Sequence, residues 1–162
     1  MASAALRSNK NRSFHERDLD SEDVGSLLDF HFSEMRATSP PEACHVLPAD
    51  GLRDPSVTFW SVRDDGVLAG VGALKELSHD HGEVKSMRTV PDALGKGVGR
   101  AVLHHIVAQA QWRGYRRLSL ETGSTEPFAA ALRLYESEGF AATGPFGAYS
   151  DTPFTRFFTR EI

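Results

Sequence analysis

An α/β fold is what this sequence predicts, a mixed sheet with helices on both faces. Three observations lead there. Runs rich in β-branched and aromatic residues alternate with amphipathic stretches at helical spacing. Their order is β-α-α-β-β-β-α-β-α-β-β, which calls for a layered sheet-and-helix architecture. The chain has 162 residues, 40% hydrophobic and 25% charged, ordinary proportions for one globular core. No internal repeat or low-complexity segment interrupts it.

Residues 1–12 are rich in Ala, Ser, Asn and basic side chains and carry no acid, so a disordered tail is expected there, with a single domain over 13–162. Residues 13–19 make a first strand. Asp20-Ser21-Glu22-Asp23 is a helix-start signal, followed by Val24, Leu27, Leu28 and Phe32 on one face. Thr38-Ser39-Pro40-Pro41 breaks that helix. A short helix is expected over 42–47 and a loop over 48–55. Residues 57–62 read as a strand, Asp64-Asp65-Gly66 as a hairpin turn, and 67–74 as the returning strand. A second turn spans 77–82, and the central strand runs over 83–90.

A long helix follows over 97–113, with Val98, Val102, Ile106 and Ala110 on one face and Gly114 at its end. A strand spans 116–122. Pro127 opens a helix lined by Phe128, Leu132 and Tyr135, and Gly139 stops it. Residues 140–143 and 155–160 pair as the last two strands.

The most informative stretch joins the central strand to the long helix. After Pro91-Asp92-Ala93-Leu94 comes Gly95-Lys96-Gly97-Val98-Gly99-Arg100. Alternate glycines let the chain turn tightly and bare several N–H groups at a helix N-terminus. Those donors and the helix dipole form a seat for phosphate or pyrophosphate. A Walker loop is excluded, because no Gly-x-x-x-x-Gly-Lys-Ser/Thr occurs. The dinucleotide fingerprint Gly-x-Gly-x-x-Gly would put its third glycine on Arg100, although Glu121 stands where a ribose-binding acid would sit, which leaves NAD as the alternative cofactor.

Bulk properties narrow the classes further. The formal net charge is -4, with no strongly basic tract, which argues against nucleic acid. No apolar run is long enough to span a bilayer, and no membrane partner is expected. One cysteine, Cys44, fits a reducing compartment and a cytoplasmic location, and it reads as a buried thiol far from the glycine loop. His79 and His81 flank Asp80 in a turn, with no further ligands specified, so no metal is expected.

The pattern [Arg/Gln]-x-x-Gly-x-[Gly/Ala] fits Gly97 and Gly99 and resembles the pyrophosphate loop of the GNAT superfamily of N-acetyltransferases. Leu134-Tyr135-Glu136-Ser137-Glu138-Gly139-Phe140 resembles that family's Leu-Tyr-x-x-x-Gly-Phe, and the order of elements is the GNAT order. Lys85-Ser86-Met87-Arg88-Thr89, Leu120-Glu121-Thr122-Gly123 and Gly144-Pro145-Phe146-Gly147-x-Tyr149 resemble a bacterial subgroup of small-molecule type. The chain departs from the pattern at Leu94, where Arg or Gln is usual, and at Phe128, where an asparagine is frequent.

The resemblance implies a mostly antiparallel sheet whose central strands splay apart, with acetyl-CoA as co-substrate. The cofactor would be held by Met87, Arg88 and Thr89 on the strand and by Leu94, Gly95, Lys96, Gly97, Val98, Gly99 and Arg100 in the loop. Tyr135 would contact the CoA sulfur and act as the acid. Glu83 is the first candidate for general base and Glu121 the second. Phe32, His45, Trp60 and Arg88 are the acceptor-side candidates, with His31 and Met35 from the same segments. The reaction implied is direct attack of a primary amine, on a small molecule or amino acid, upon the thioester. Rival readings are acetylation of a protein N-terminus or lysine, and a non-catalytic acyl-CoA sensor. Dimers are frequent among look-alikes, which allows a homodimer.

Overall fold

The computed structural model describes residues 11–162. The tail expected over 1–12 therefore lies outside the described residues up to Lys10. Its last residue does not belong to a tail. Strand β1 is Arg12–Glu16, and Arg12 donates through Nε and Nη2 to the Asp64 carboxylate at 2.7 and 2.9 Å. A two-point, part-buried bond of this kind fixes the strand's first residue.

The remaining elements are α1 (Glu22–Thr38), β2 (Val57–Asp64), β3 (Val67–Ser78), β4 (His81–Thr89), α2 (Val98–Trp112), β5 (Arg117–Gly123), α3 (Ala129–Ser137), β6 (Ala141–Thr143) and β7 (Thr155–Glu161). They build one seven-stranded sheet in the order β1-β2-β3-β4-β5-β7-β6. Every neighbouring pair is antiparallel except β4 and β5, which are parallel. The mixed, mostly antiparallel α/β sheet expected from the sequence is the one observed.

Two local expectations are corrected. The helix expected over 42–47 is one 3-10 turn at Pro41–Ala43, after which the chain is irregular. A window bounded by Pro41 and Pro48 is too short to nucleate an α-helix, and Pro48 disfavours helical geometry at Leu47. The turn expected over 77–82 shrinks to His79 and Asp80, because Ser78 pairs with His81. The polar end of β3 goes on pairing with β4 across a register shift between Glu76 and Ser78, which propensity alone does not signal. The other hairpin turn follows its chemistry: Asp65 and Gly66 sit at φ 50° and 82°, as a two-residue primed turn requires.

Hydrophobic burial divides between the two faces. On one face, α2 and α3 cover the sheet through Val98, Val102, Leu103, Ile106, Ala110 and Tyr135, packed with Trp60, Leu118, Leu120 and Phe158. On the other, α1 brings Val24, Leu27 and Leu28 onto Phe59, Leu68, Val71 and Ala73, with Leu52 closing the edge. Neighbouring Phe59 and Trp60 thus point to opposite faces, as the pleat demands. Arg63 pins the start of α1 to β2 through Asp18 and Asp23. Among the described residues no helix is long and apolar enough to cross a membrane.

Candidate active site

Strands β4 and β5 pair only at His81–Arg117, Gly82–Leu118 and Glu83–Ser119. Beyond Glu83 they separate. The cause is legible on the other edge of β4: Ala73 pairs with Lys85 while Val71 pairs with Arg88, so β4 carries one residue more than β3. The surplus is taken up around Ser86, whose φ is 55°, a bulge that bends the strand away from its neighbour. Main-chain groups on the β5 side of residues 84–89 are consequently left without a strand partner among the described residues.

The same bulge changes which side chains share a face. Glu83 and Lys85 point into a cavity on the α1 side. Without the extra residue Met87 would follow them. Instead Met87 packs on the α2 side, with its Cγ close above Gly72, and Arg88 returns to the α1 side over the Phe30 ring.

The gap holds a cavity of about 320 Å³. His31 and Met35 of α1 and the segment around Cys44 and His45 form one wall. Glu83, Lys85, Met87 and Arg88 of β4 form a second wall, Glu121 of β5 a third, and Phe128 and Tyr135 close the end. Phe128 lies directly against Gly123, where an added Cβ would come within 2.2 Å of the ring. That position therefore carries an apolar ring wedge where an asparagine is frequent in the resembling family.

The two carboxylates sit in different surroundings. Glu83 is 3% exposed, and its Oε2 accepts from the Tyr149 hydroxyl at 2.5 Å and from Lys85 Nζ at 3.2 Å. Lys85 also donates to the Tyr149 oxygen at 2.7 Å, closing a triangle. Burial and the Glu83 charge push the Tyr149 hydroxyl far above its ordinary value, so it stays protonated and donates. Glu121 is half-buried and accepts no hydrogen bond among the described residues. Burial raises its carboxyl to about 7, Lys85 working against the rise and Glu83 adding to it.

Tyr135 is buried, its ring edge against Phe140 and its hydroxyl 3.9 Å from the Met87 sulfur. Burial, reinforced by Glu121, raises it to about 12. His31 is buried with Nδ1 unpartnered, and its desolvation, aided by Arg88, lowers it to about 4. The imidazole is neutral at physiological pH.

The glycine loop continues from the open end of the gap. Gly95 and Gly97 lie at φ 75° and 78°, and nothing stands within 4 Å of where their Cβ atoms would be. Gly97 caps α2, and Ala101 is the first amide to bond back, to the Gly97 carbonyl at 3.1 Å. The amides of Val98, Gly99 and Arg100 therefore point out of the helix with no main-chain acceptor among the described residues. Leu94 is 65% exposed, and Lys96 is exposed. The Arg100 side chain is drawn sideways to Glu138, which also binds His104, so the loop's charge beyond its amides is Lys96.

Among the sequence candidates, Glu83, Glu121, Tyr135, Met87, Arg88, His31, Met35 and His45 line the cavity. Phe32 and Trp60 do not. Phe32 stacks under Arg36 outside it, and Trp60 is core beneath α2, edge-on to His105. Trp60 lies one position out of phase with the face that the pocket uses. Cys44, expected as a buried thiol far from the glycine loop, is only half-buried and is part of the cavity wall. Lys85 and Tyr149 are the site residues that sequence reasoning missed. The string from Gly144 to Tyr149 was the available signal, but it stands 66 positions from Glu83. Phe146, Phe157 and His45 pack around the Tyr149 ring and hold it there. Among the described residues no group of three or more His, Cys, Asp or Glu side chains could hold a metal ion.

Comparison with known proteins adds an independent line. The model of the acetyltransferase (GNAT) family matches residues 22–140. The chain is 49% identical to the N-acetyltransferase YsnE of Bacillus subtilis (strain 168) over 145 residues, 90% of this chain and 96% of that one. It is 36% identical to an IAA acetyltransferase of Azospirillum brasilense over 124 residues, 76% of this chain and 80% of that one. A solved GNAT family acetyltransferase from Elizabethkingia anophelis with acetyl-CoA bound matches at a TM-score of 0.68 and 17% identity, over 94% of this chain and 99% of that one, a likeness of fold.

Proposed function

This chain belongs to the GNAT acetyltransferase family, and from that premise we propose that it moves the acetyl group of acetyl-CoA onto a primary amine of a small molecule within a ternary complex. The observation that carries the reading is the open wedge between β4 and β5, which ends on the free amides of α2. An extended pantetheine arm fits the unpaired edge of β4 as an added strand, and the amides of Val98, Gly99 and Arg100 suit its diphosphate. Open space at Gly95 and Gly97 lets the phosphates approach the backbone. A small acceptor suits a cavity walled by α1, by the Cys44–His45 segment and by the Tyr149 loop.

The thioester supplies the acetyl group. Positioning of the amine beside it provides much of the rate. Glu121 takes the proton that the amine nitrogen gives up as the N–C bond forms. Its elevated carboxyl, unclaimed by other donors, is poised for that task near pH 7. Glu83 is occupied by Tyr149 and Lys85, and its work is to set the field at Glu121 and fix the wall. Unpaired N–H groups of β4 near Met87 to Thr89 stabilise the oxyanion.

Tyr135 donates a hydrogen bond to the departing sulfur. With its hydroxyl at about 12 and a thiol near ~8.5, the proton remains on Tyr135 and the sulfur leaves as thiolate. The amine-to-thioester exchange balances with no covalent enzyme intermediate. The test is calorimetric titration of acetyl-CoA and NAD, together with thiol release against a set of primary amines, for the wild type and Gly97→Trp. Acetyl-CoA should bind the wild type and NAD should not, and the indole should block the diphosphate seat. Unchanged acetyl-CoA affinity in Gly97→Trp would overturn this placement.

A further inference from the structure

We propose that Arg88 seats a carboxylate of the acceptor, so that the amine acetylated here belongs to an amino acid or a similar amino carboxylate. This deepens the transferase reading above and rests on it. The bulge at Ser86 is what turns Arg88 toward the α1 side, where it lines the cavity. Its guanidinium lies over the Phe30 ring, 4.9 Å from the centroid. Stacking of this kind holds the plane and leaves the N–H edges free to bind two oxygens.

Among the described residues no acid claims those edges. Arg12, Arg53, Arg63 and Arg100 each reach a carboxylate within 4.0 Å, whereas Arg88 reaches none among the described residues. Glu34, one turn along α1 from Phe30, is the acid whose field it feels, yet the two form no ion pair. A half-buried cation without a partner is a cost that a ligand anion would relieve.

A second polar atom is unclaimed beside it. His31, three residues before Glu34 on α1, also lines the cavity, and its buried Nδ1 has no partner among the described residues. A neutral imidazole can offer one N–H to an oxygen without adding a competing charge. Glu121 and Glu83 supply the complementary negative charge in the same cavity, which suits a substrate carrying both a carboxylate and an amine.

The experiment measures kcat/KM for thiol release with the protein amino acids, β-alanine and γ-aminobutyrate, each against the amine that lacks its carboxylate. The best amino acid should exceed its matched amine by about ten- to hundredfold, the range of a charge-assisted hydrogen-bonded pair. Arg88→Gln should bring that ratio to about one, and Arg88→Lys should leave it in between, since an ammonium keeps the charge and loses the fork. Matched amines that equal or exceed their amino acids in the wild type overturn the proposal without recourse to any variant, and they leave the transferase reading intact. A wild-type ratio that survives Arg88→Gln overturns it as well. Absence of thiol release with every amino acid and every amine overturns both readings together.

Discussion

Among the described residues no donor claims the Glu121 carboxyl, which is raised to about 7, while Glu83 is bonded on Oε2 by Tyr149 and Lys85. Glu121→Gln should lower kcat by about 10²–10⁴-fold and leave acetyl-CoA affinity unchanged, read by steady-state thiol release and calorimetry. Wild-type kcat/KM should climb with pH through about 7, as Glu121 gives up its proton and becomes able to accept another. Stability should run the opposite way. Between the ordinary value of 4.5 and about 7 the native chain holds a proton that the unfolded chain has lost, so stability falls as pH rises across that window. Glu121→Gln lacks that loss and should exceed the wild type by on the order of 1–3 kcal/mol at pH 8, with the advantage gone by pH 4, measured by urea unfolding. Tyr149→Phe removes one donor from buried Glu83 and one acceptor from Lys85. It should cost about 1.5–3 kcal/mol of stability and lower kcat more than it changes acetyl-CoA binding.

At the scale of elements, the site depends on how closely α2 lies on β3 and how β4 is bent. A Cβ on Gly72 would come within 2.5 Å of Val102 Cγ1 and 3.1 Å of Ile106 Cδ1. Val102 is β-branched on a helix and has little rotamer freedom to yield. Gly72→Ala should therefore destabilise by about 1–3 kcal/mol, seen as a lower urea midpoint. The helix that lies against both Gly70 and Gly72 is α2. The bulge in β4 was not legible. Ser86 at φ 55° has no glycine to mark it, and its cause is a mismatch in count between two paired strands.

For the whole molecule, β4 and β5 join the two halves of the sheet through three residue pairs. A ligand that fills the wedge beyond them binds the folded chain and has no comparable site in the unfolded one. Acetyl-CoA at a hundredfold excess over its Kd should add about 2.7 kcal/mol. For a chain of this size that is a rise in Tm of roughly 5–10 °C. NAD at the same concentration should leave Tm where it was. An equal rise with NAD would contradict the coenzyme assignment.

Local chemistry was enough to read the succession of the seven strands and of α1, α2 and α3, the Asp65-Gly66 turn, the glycine-bared start of α2 and the helix bearing Tyr135, because each signal is complete within a few residues. Long-range packing sets the rest: Trp60 faces α2 and not the pocket, Cys44 joins the cavity wall, Arg88 turns to the α1 side over Phe30, and Tyr149 reaches across 66 positions to hold Glu83. The face that a strand residue presents depends on register and bulges set with its neighbours. A hydrogen-bond partner drawn from a distant loop is fixed by packing, here the rings of His45, Phe146 and Phe157 around Tyr149, and no nearby stretch of chain encodes it.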